Sequence, residues 1–503
     1  MIKSACDYHD LTSYHRYKTG GHALDWFNQP NTFKIYEGLE RLQLEETSDW
    51  PEECLSELLT VKQYKTSKQI TLRDLGRILR LSHCLTHKQK AGGNYFYFRN
   101  VASAGALYPA EIYFASVNVL GLNQGIYHHS VADQSIISLK KGSYQDALAR
   151  EVHFQCEESP CLYFFLTAIF FRSSWKYRDR AFRYHLLDTG HLAENLLLAL
   201  RATRLNFAIS YDFNDSAINE LLAVDPKKEA CLAAVKVFSN DTVGESPRST
   251  VEQPPANLKR FSACASEEKL DPVIRAAYDI TSASGDSGGN DSRHGSDWFS
   301  NDRSQIVQLE PVGKPPQAVN YVQALLNRRS RRNFVRQTIP GTTFSWLISC
   351  FGEQASFGND RLLWRNFLTV GVMVADVHGI PPGFYIVEPD EGSLSLIRRG
   401  SFTEEMAHIC LDQLWLSNCS CHFLFLANLE FLETEYGPRS YRRVMLETGR
   451  LGQRLYLAAE TVRFGCCGIG AFYDEEAFKF LNLGPGFRLL YVVACGPLTK
   501  AFV

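Results

Sequence analysis

Four arginines and one serine lie side by side in the second half of the chain, at Arg328, Arg329, Ser330, Arg331 and Arg332. Arginine stays charged at any working pH, and its planar fork of donors matches a phosphate or the polar edge of a planar ring. The chain has 53 basic and 55 acidic side chains, so no broad positive field exists to attract nucleic acid. The cluster therefore predicts a site for one small anion, with a solvated basic face as the alternative.

A glycine-rich segment, residues 463–474, closes the same half and contains Gly465, Gly468 and Gly470. Glycine allows the backbone to come close to a flat ligand and to direct N–H groups at it. The spacing differs from the GxGxxG dinucleotide fingerprint, and a helical pattern precedes it, which argues against a Rossmann unit. Contact with a flat ligand is one interpretation, and a helix C-cap followed by a turn is the other.

Two further segments that could take part in chemistry lie in the first half. Small residues from Ser103 lead through a Tyr-Pro turn into an alternating strand at residues 112–117. Such a loop can pack over an aromatic ring, or it can be an ordinary tight loop. Lys176 stands beside Tyr177, and such a pair in a cleft can exchange a proton if burial shifts either pKa. An exposed pair without a role is the alternative, because surface lysine is common.

The elements that must hold these residues occur twice in the sequence. Residues 176–199 align without a gap with residues 435–458, an offset of 259 positions (435 minus 176). In both copies apolar residues recur every three or four positions, which predicts a long amphipathic helix. Residues 71–79 and 343–351 share a helical spacing upstream. The sequence therefore predicts an internal duplication.

Length and composition divide the chain into two domains and a linker. Domains usually have roughly 100–200 residues, and this chain has 503. Residues 241–305 are rich in serine, glycine and aspartate, which predicts a linker that is partly disordered. A short amphipathic helix is expected within it, at about residues 270–280. The predicted domains are residues 1–240 and 306–503.

The sequence argues against a metal centre and against a membrane protein. Its 14 cysteines include no CxxC pair, and Cys419-Ser-Cys421-His422 has no second ligand pair at zinc-finger distance. No stretch approaches the ~20 apolar residues of a membrane-spanning helix. The N-terminus lacks the apolar core of a secretory signal. We therefore expect no metal, no membrane contact and a cytoplasmic location.

Together these segments resemble the nitroreductase superfamily, and within it the SagB/ThcOx type of flavin dehydrogenase, the azoline oxidases of peptide natural-product pathways. The resemblance covers nearly the whole chain outside the linker. It is carried by residues 14–15, 103–113, 125–128, 175–184, 187–191, 328–332 and 468–472.

The resemblance implies an α+β fold with two fused nitroreductase-like, FMN-dependent, three-layer α/β/α sandwich domains. In this family FMN lies at a homodimer interface, where one subunit supplies the arginine segment and the glycine bend and the other supplies the small-residue loop. Here the C-terminal half keeps the segment and the bend, and the N-terminal half keeps the loop. The sequence thus predicts an intramolecular pseudo-dimer with one composite FMN site, for which a monomer suffices.

The parts that each half has lost can be named. The N-terminal half has residues 61–68 in place of the arginine segment and residues 205–212 in place of the glycine bend. The C-terminal half has residues 368–376 in place of the loop, without the Tyr-Pro-x-Glu run. The second site is interpreted as decayed, although Lys65 and Lys68 leave a weaker second FMN site open.

Carry-over from the family assigns roles to two sets of residues. Lys176 and Tyr177 correspond to the pair proposed for proton transfer in azoline dehydrogenation, whereas the other copy has Glu435 and Tyr436. Backbone N–H groups of the bend are expected to stabilise negative charge on the reduced ring. The expected cofactor-binding residues are Arg328, Arg329, Ser330, Arg332, Ser103, Ala104, Gly105, Leu107, Tyr108, Pro109, Gly468, Ile469, Gly470, Ala471 and Lys500.

The predicted function is that of an FMN-dependent oxidoreductase of the SagB/ThcOx type, which dehydrogenates a peptide-derived or small-molecule substrate in azoline-to-azole-like chemistry. One alternative is an NAD(P)H-dependent nitroreductase or quinone-type reductase, since flavin electrons flow in either direction. Another is a non-catalytic flavin-binding partner subunit of a peptide-modifying complex. The lysine–tyrosine pair favours dehydrogenation, because that reaction needs a positioned base. The substrate and the reoxidant stay open.

Overall fold

The computed structural model describes residues 2–18, 23–45, 49–60, 64, 69–91, 94–154, 158–238, 255–269, 271–282, 305–312, 319–352, 367–389 and 391–499. These residues form two seven-stranded antiparallel sheets, one in each half of the chain, with helices on both faces and two smaller strand pairs.

The N-terminal half contains eight of the described helices and eleven strands. The helices are α1 (Ala5–Leu11), α2 (Leu55–Thr60), α3 (Leu72–Ser82), α4 (Gln145–Glu151), α5 (Phe170–Tyr177), α6 (Ala181–Ala202), α7 (Asp215–Leu221) and α8 (Pro272–Ser282). The strands are β1 (Arg41–Gln43), β2 (Ile70–Thr71), β3 (Leu85–Ala91), β4 (Asn94–Arg99), β5 (Ala110–Ser116), β6 (Val119–Leu120), β7 (Gly125–Ser130), β8 (Ser135–Lys141), β9 (Pro160–Ile169), β10 (Asn206–Ser210) and β11 (Glu229–Phe238). Short 3-10 turns occupy Trp26–Asn28, Ala104–Ala106, Arg178–Arg180 and Leu258–Ser262.

The C-terminal half repeats this pattern with six described helices and seven strands. The helices are α9 (Tyr321–Asn327), α10 (Gly341–Ser349), α11 (Thr403–Ile409), α12 (Leu429–Tyr436), α13 (Ser440–Thr461) and α14 (Asp474–Leu481). The strands are β12 (Ile306–Gln308), β13 (Thr369–Val374), β14 (Gly383–Glu388), β15 (Ser393–Arg399), β16 (Cys421–Asn428), β17 (Gly465–Ile469) and β18 (Phe487–Gly496). A 3-10 turn occupies Leu414–Asn418.

The two large sheets have the same topology. The strand order is β1-β8-β7-β5-β9-β11-β10 in the first sheet and β12-β15-β14-β13-β16-β18-β17 in the second. Each position in one sheet is taken by the corresponding strand of the other, so that β12 replaces β1, β13 replaces β5 and β17 replaces β10. The predicted duplication is therefore confirmed, and it extends from the matched helices to the whole of both sheets.

Each sheet is the middle of three layers. In β5 the side chains alternate, so that Ile112 and Phe114 join the core with α3 and α6, whereas Tyr113 and Ala115 join a second core with α4 and α7. The C-terminal sheet has α10 and α13 on one face and α11 and α14 on the other. The predicted α+β fold, with a three-layer sandwich in each half, is thus confirmed.

The two halves meet along their longest helices, α6 and α13, which have 22 residues each. They cross at Gly190 and Gly449. A Cβ on Gly190 would meet the carbonyl oxygen of Leu446 and lie 2.9 Å from the Cα of Gly449, and a Cβ on Gly449 would meet the carbonyl oxygen of Leu187 and lie 3.0 Å from the Cα of Gly190. Only glycine fits at this crossing. The reciprocal contacts place a pseudo-twofold axis between the two glycines, as in an isologous dimer interface.

Buried ion pairs repeat about the same axis. Asp474, at the start of α14, accepts hydrogen bonds from Arg180 (2.8 Å) and Arg183 (2.8 Å) of the other half. The counterparts at an offset of 259 positions are Asp215 at the start of α7, which pairs with Arg439 and with Arg442. Breaking a buried pair leaves an uncompensated charge, so these contacts favour one register between the halves.

The predicted linker contains ordered structure in its described part. Helix α8 begins and ends within two residues of the helix predicted at about residues 270–280. Its Tyr278 hydroxyl donates a hydrogen bond to Asp215 (3.1 Å). Residues 239–254 and 283–304 of this region lie outside the described residues, so the domain boundaries stay a prediction. Among the described residues, no helix is both long and apolar enough to cross a membrane.

Candidate active site

A cavity of about 1200 Å³ lies between the two halves. The C-terminal half supplies residues 327–333 and 467–471 to its wall. The N-terminal half supplies residues 101–106, Tyr108 and the adjacent Lys176 and Tyr177. The structure therefore brings most of the residues singled out in the sequence around one space, and it does so from both halves.

Three of the predicted cofactor-binding residues are not among the described residues that line the cavity. Leu107 and Pro109 are buried behind the loop, where the carbonyl of Pro109 accepts a hydrogen bond from the amide of Ile169 (2.9 Å). These two residues support the loop from behind, away from the cavity. Lys500 lies outside the described residues, and its phosphate contact stays a prediction.

Arg328 fastens the arginine segment to the opposite half. The side chain is buried, and its Nε and Nη2 donate to the backbone carbonyls of Asn100 (2.8 Å), Arg99 (2.8 Å) and Val101 (3.2 Å). Its Nη1 is also buried and has no partner among the described residues. Arg328 therefore has a structural role that the sequence did not predict, and one donor remains for a ligand.

Tyr456, on α13, joins the arginine segment to the glycine bend. Its hydroxyl lies 3.0 Å from Ser330 Oγ and accepts a hydrogen bond from the amide of Gly468 (2.6 Å). Sequence reasoning missed this residue. A signal existed, because the counterpart at an offset of 259 positions is the apolar Leu197, so only one of the two copies carries a hydroxyl at this position.

The glycine-rich segment is partly a strand, which corrects the prediction of a bend. Residues 465–469 form β17, paired with β18, and the open backbone begins only at Gly470. The Gly470 carbonyl accepts hydrogen bonds from Arg180 (2.9 Å), so the Ala471 N–H of the same trans peptide unit faces the opposite way. Neither the Gly470 nor the Ala471 amide has an acceptor among the described residues, and both residues line the cavity.

The small-residue loop has an unusual backbone. Gly105, Ala106 and Tyr108 all adopt left-handed conformations, with φ of 65°, 55° and 47°. Ser103 Oγ accepts a hydrogen bond from the Tyr108 amide (2.9 Å) and donates one to Asp188 on α6 (2.6 Å). The loop is thus held by a carboxylate that was not among the predicted site residues.

Lys176 and Tyr177 end α5 and face this loop. A Cβ on Gly105 would lie 2.8 Å from the Tyr177 hydroxyl and 3.2 Å from Lys176 Nζ, so both side chains lie directly against the glycine. Burial lowers the pKa of Lys176, and the positive charge of Arg332 lowers it further. Burial and the charge of Asp188 raise the pKa of Tyr177. Lys176 therefore loses a proton more readily than an ordinary lysine, while Tyr177 keeps its own.

The cavity suits a planar anion such as a flavin mononucleotide. Unsatisfied donors are present, since Arg331 Nε, like the free nitrogen of Arg328, has no partner in the described part of the chain. Two carboxyls also line the cavity, and burial raises the pKa of Glu460 and raises that of Asp188 to about 7. The volume of about 1200 Å³ exceeds the roughly 300–1000 Å³ of ordinary ligand pockets, so a cofactor fits with room beside it. The described residues therefore fit the cofactor that the resemblance implies.

The sequence pattern of the Nitroreductase family matches residues 59–237 and 325–497, once in each half and over more than half of the chain. The chain belongs to the nitroreductase family. The prediction of this family, and of its duplication within one polypeptide, is confirmed. Each matched stretch contains one of the two long crossing helices and one of the two sheets except its edge strand, β1 or β12.

Three nitroreductase-family comparisons illustrate the relationship. A solved structure from Anabaena variabilis ATCC 29413, described as a nitroreductase, is 25% identical and covers 99% of this chain and 100% of that one, with a TM-score of 0.79. A Methanocaldococcus jannaschii protein named as a nitroreductase is 30% identical over 34% of this chain and 84% of the relative. The trifolitoxin-processing protein TfxB of Rhizobium leguminosarum bv. trifolii is 27% identical over 28% of this chain, and the match spans 39% of TfxB.

The pseudo-twofold axis relates the cavity to a second position between the nitroreductase halves. There Tyr211 stands where Gly470 stands in the cavity, at an offset of 259 positions, and it is buried. Its hydroxyl donates to Glu447 (2.5 Å), the counterpart of Asp188, and accepts a hydrogen bond from Arg450 (3.4 Å). A side chain therefore fills the space that glycine leaves open on the other side. Lys65 and Lys68, which kept a second site open in the sequence, lie outside the described residues.

Proposed function

We propose that this nitroreductase-family chain binds one FMN between its halves and works as an FMN-dependent oxidoreductase that dehydrogenates a peptide-derived or small-molecule substrate. One observation carries the proposal. The arginine segment and glycine bend of one half and the small-residue loop of the other line a single cavity, while Tyr211 fills the related position. One polypeptide then suffices for one complete site.

The residues that would hold the cofactor divide by chemistry. When bound, FMN would supply a ring that accepts a hydride from the substrate. Cationic and hydroxyl groups of the arginine segment suit its phosphate and polar edges, and the free amides after β17 suit the ring, where negative charge develops on reduction. The first set is Arg328, Arg329, Ser330 and Arg332, and the second is Gly470 and Ala471. Ser103, Ala104, Gly105 and Tyr108 would cover the ring from the other half.

Lys176 is the residue we assign to proton removal. Dehydrogenation takes a hydride and a proton from the substrate, so a base must stand beside the ring. Burial and the nearby Arg332 both disfavour the charged form of Lys176, which makes its amine available as that base. Tyr177 retains its proton because burial disfavours the phenolate, so it can orient a substrate by donating a hydrogen bond.

Two further points support a substrate of the azoline kind. The sequence resembles the SagB/ThcOx type, and one relative, TfxB, is named for trifolitoxin processing. The reverse direction of electron flow, from NAD(P)H to an acceptor, would not need a base at Lys176. Its position against the cavity therefore favours substrate dehydrogenation over the reductase alternative.

The absorbance spectrum of the purified full chain, with FMN quantified after release, tests the proposal. We expect one FMN per chain. A ratio of two would show that the second position also binds flavin. A colourless protein that does not take up added FMN would contradict the proposal and support the role of a non-catalytic partner subunit.

The direction of electron flow needs a second measurement on the FMN-loaded chain. Without oxygen, the protein is mixed either with NADPH or with a synthetic thiazoline-bearing peptide, and the flavin absorbance is followed. Rapid bleaching by the thiazoline peptide supports the dehydrogenase. Bleaching by NADPH alone would contradict it and support the reductase.

A further inference from the structure

Asp188 holds both ends of the small-residue loop. It lies on α6, is buried, and lines the cavity. One carboxyl oxygen accepts a hydrogen bond from Ser103 Oγ (2.6 Å), and the other accepts one from the Ala104 amide (3.1 Å). Ser103 Oγ also accepts a hydrogen bond from the Tyr108 amide (2.9 Å). A single carboxyl therefore anchors Ser103, the first residue of the loop, and through Ser103 it also anchors Tyr108, the last.

The loop needs such an anchor. Left-handed backbone is disfavoured for residues that carry a Cβ, and both Ala106 and Tyr108 adopt it, with φ of 55° and 47°. A conformation of this kind persists only where the surroundings hold it in place. Within the loop, the hydrogen bonds of Ser103 and Ala104 to Asp188 are the contacts that connect it to the rigid helix α6.

The loop in turn decides where the proposed proton-transfer pair can lie. Lys176 Nζ and the Tyr177 hydroxyl lie against Gly105, at 3.2 Å and 2.8 Å from the place that a Cβ would take there. We propose that Asp188 is a positioning residue, which fixes loop residues 103–108 and thereby the location of Lys176 and Tyr177 beside the ring. The part concerning the ring rests on the proposed function, whereas the anchoring of the loop does not.

The asparagine variant separates this role from a charge or proton role. Burial raises the pKa of Asp188 from 3.8 to about 7, although the bonds from Ser103 and Ala104 lower it again in part. The stability that this group contributes is present below pH 3.8 and is lost as the pH rises through about 7. Asp188→Asn should therefore fold at least as stably as the parent above pH 7. The asparagine side chain can still accept a hydrogen bond from the Ala104 amide and donate one to Ser103 Oγ.

Hydrogen exchange of the flavin-free full chain tests the anchoring directly. In Asp188→Ala we expect the Ala104 and Tyr108 amides to exchange roughly ten- to hundredfold faster, the range lost with one charge-assisted hydrogen bond. Asp188→Asn should restore most of the protection. Ser103→Ala should expose Tyr108 while Ala104 stays protected. Glu447→Gln, at the related position of the other half, is the matched control and should leave the loop unchanged.

Unchanged exchange at Ala104 and Tyr108 in Asp188→Ala would overturn the proposal, and so would equal exposure in the alanine and asparagine variants. FMN titration of the same proteins then tests the link to the site. We expect the dissociation constant to rise about tenfold or more in Asp188→Ala and less than about threefold in Asp188→Asn. If the parent binds no FMN, the proposed function fails, but the exchange result still decides the role of Asp188.

Discussion

The pseudo-twofold axis generates two positions at which a flavin could lie, and the two are built differently. At the open position Gly470 leaves the backbone exposed, and Asp188 binds the small-residue loop of its own, N-terminal half. At the closed position Tyr211 replaces the glycine and bonds to Glu447, which replaces the aspartate. At the closed position a large side chain thus occupies the place of the glycine, and the arginine segment and the small-residue loop are replaced there as well. The comparison indicates that a duplicated chain needs only one complete site, so the other is free to become part of the core.

The polar network at the helix crossing beside the open position, formed by His191, Asn195 and Gln453, is uncharged at neutral pH. His191 Nδ1 lies 2.9 Å from Gln453 Oε1, and Gln453 donates to Asn195 (2.8 Å). His191 Nε2 lies 3.2 Å from the hydroxyl of Tyr491, which lines the cavity. Burial lowers the pKa of His191 to about 4. The positive charge of the cavity is therefore supplied by the arginine segment, and His191 at the helix crossing adds none.

The corresponding residues beside the closed position are charged. Glu194, the counterpart of Gln453, accepts hydrogen bonds from Arg450 (3.0 Å) and Arg454 (2.6 Å), the counterparts of His191 and Asn195. Arg450 also bonds to Glu447 (2.6 Å). Buried ions are tolerated when they are paired, and these charges are paired with one another across the two halves. On the closed side, ion pairs thus connect the two halves. On the open side, the corresponding residues connect them through hydrogen bonds between uncharged groups.

Replacing Lys176, which has Glu435 as its counterpart in the C-terminal half, should have the largest effect, and the effect is on turnover. In Lys176→Ala we expect FMN to remain bound while turnover falls about 10²- to 10⁴-fold, the usual contribution of a general base. Anaerobic bleaching of the flavin by a thiazoline peptide measures this. Glu435→Ala, at the counterpart position, is the matched control and should be without effect. Normal turnover of Lys176→Ala would remove the lysine from the mechanism.

Copying the closed side onto the open side should abolish flavin binding. A Cβ at residue 470 would lie 2.5 Å from Tyr184 Cε1, so the larger side chain in Gly470→Tyr must occupy the cavity or displace Tyr184. We expect the FMN dissociation constant to rise about a hundredfold or more, because ring contacts and amide donors are lost together. Fluorescence titration of the apoprotein measures it, with circular dichroism to verify the fold.

Tyr211→Phe is the control for that experiment. It keeps the closed position filled and removes only the hydroxyl, with its hydrogen bonds to Glu447 and from Arg450. FMN affinity should therefore equal that of the parent. Unchanged affinity in Gly470→Tyr would mean that the flavin lies elsewhere and that the contrast between the two positions has no functional meaning.

The sequence predicted the parts whose signals are local or repeated. Helices α6 and α13 share an amphipathic pattern at a fixed offset, and the arginine segment is visible as a run of one residue type. Asp188 and Tyr456 were missed, because their roles arise from partners far away in the chain, Ser103 and Ser330, which only the packing brings near. The strand at residues 465–469 was missed because it contains two glycines, which are depleted in strands, so pairing with β18 decided its conformation.

The smallest expected effect concerns pH, and it distinguishes the two networks at the helix crossing. Because the pKa of His191 falls from 6.5 to about 4 on folding, the unfolded chain binds more protons between these values, and stability falls as the pH is lowered through this window. In His191→Gln this contribution is absent. Between pH 7 and pH 5 the parent should lose about 1–2 kcal/mol more unfolding free energy than the variant. Urea unfolding in matched buffers measures the difference. Equal losses of unfolding free energy in the parent and the variant would show that His191 is not held neutral. The helix crossing would then carry a charge on the open side, as it does at Arg450 on the closed side.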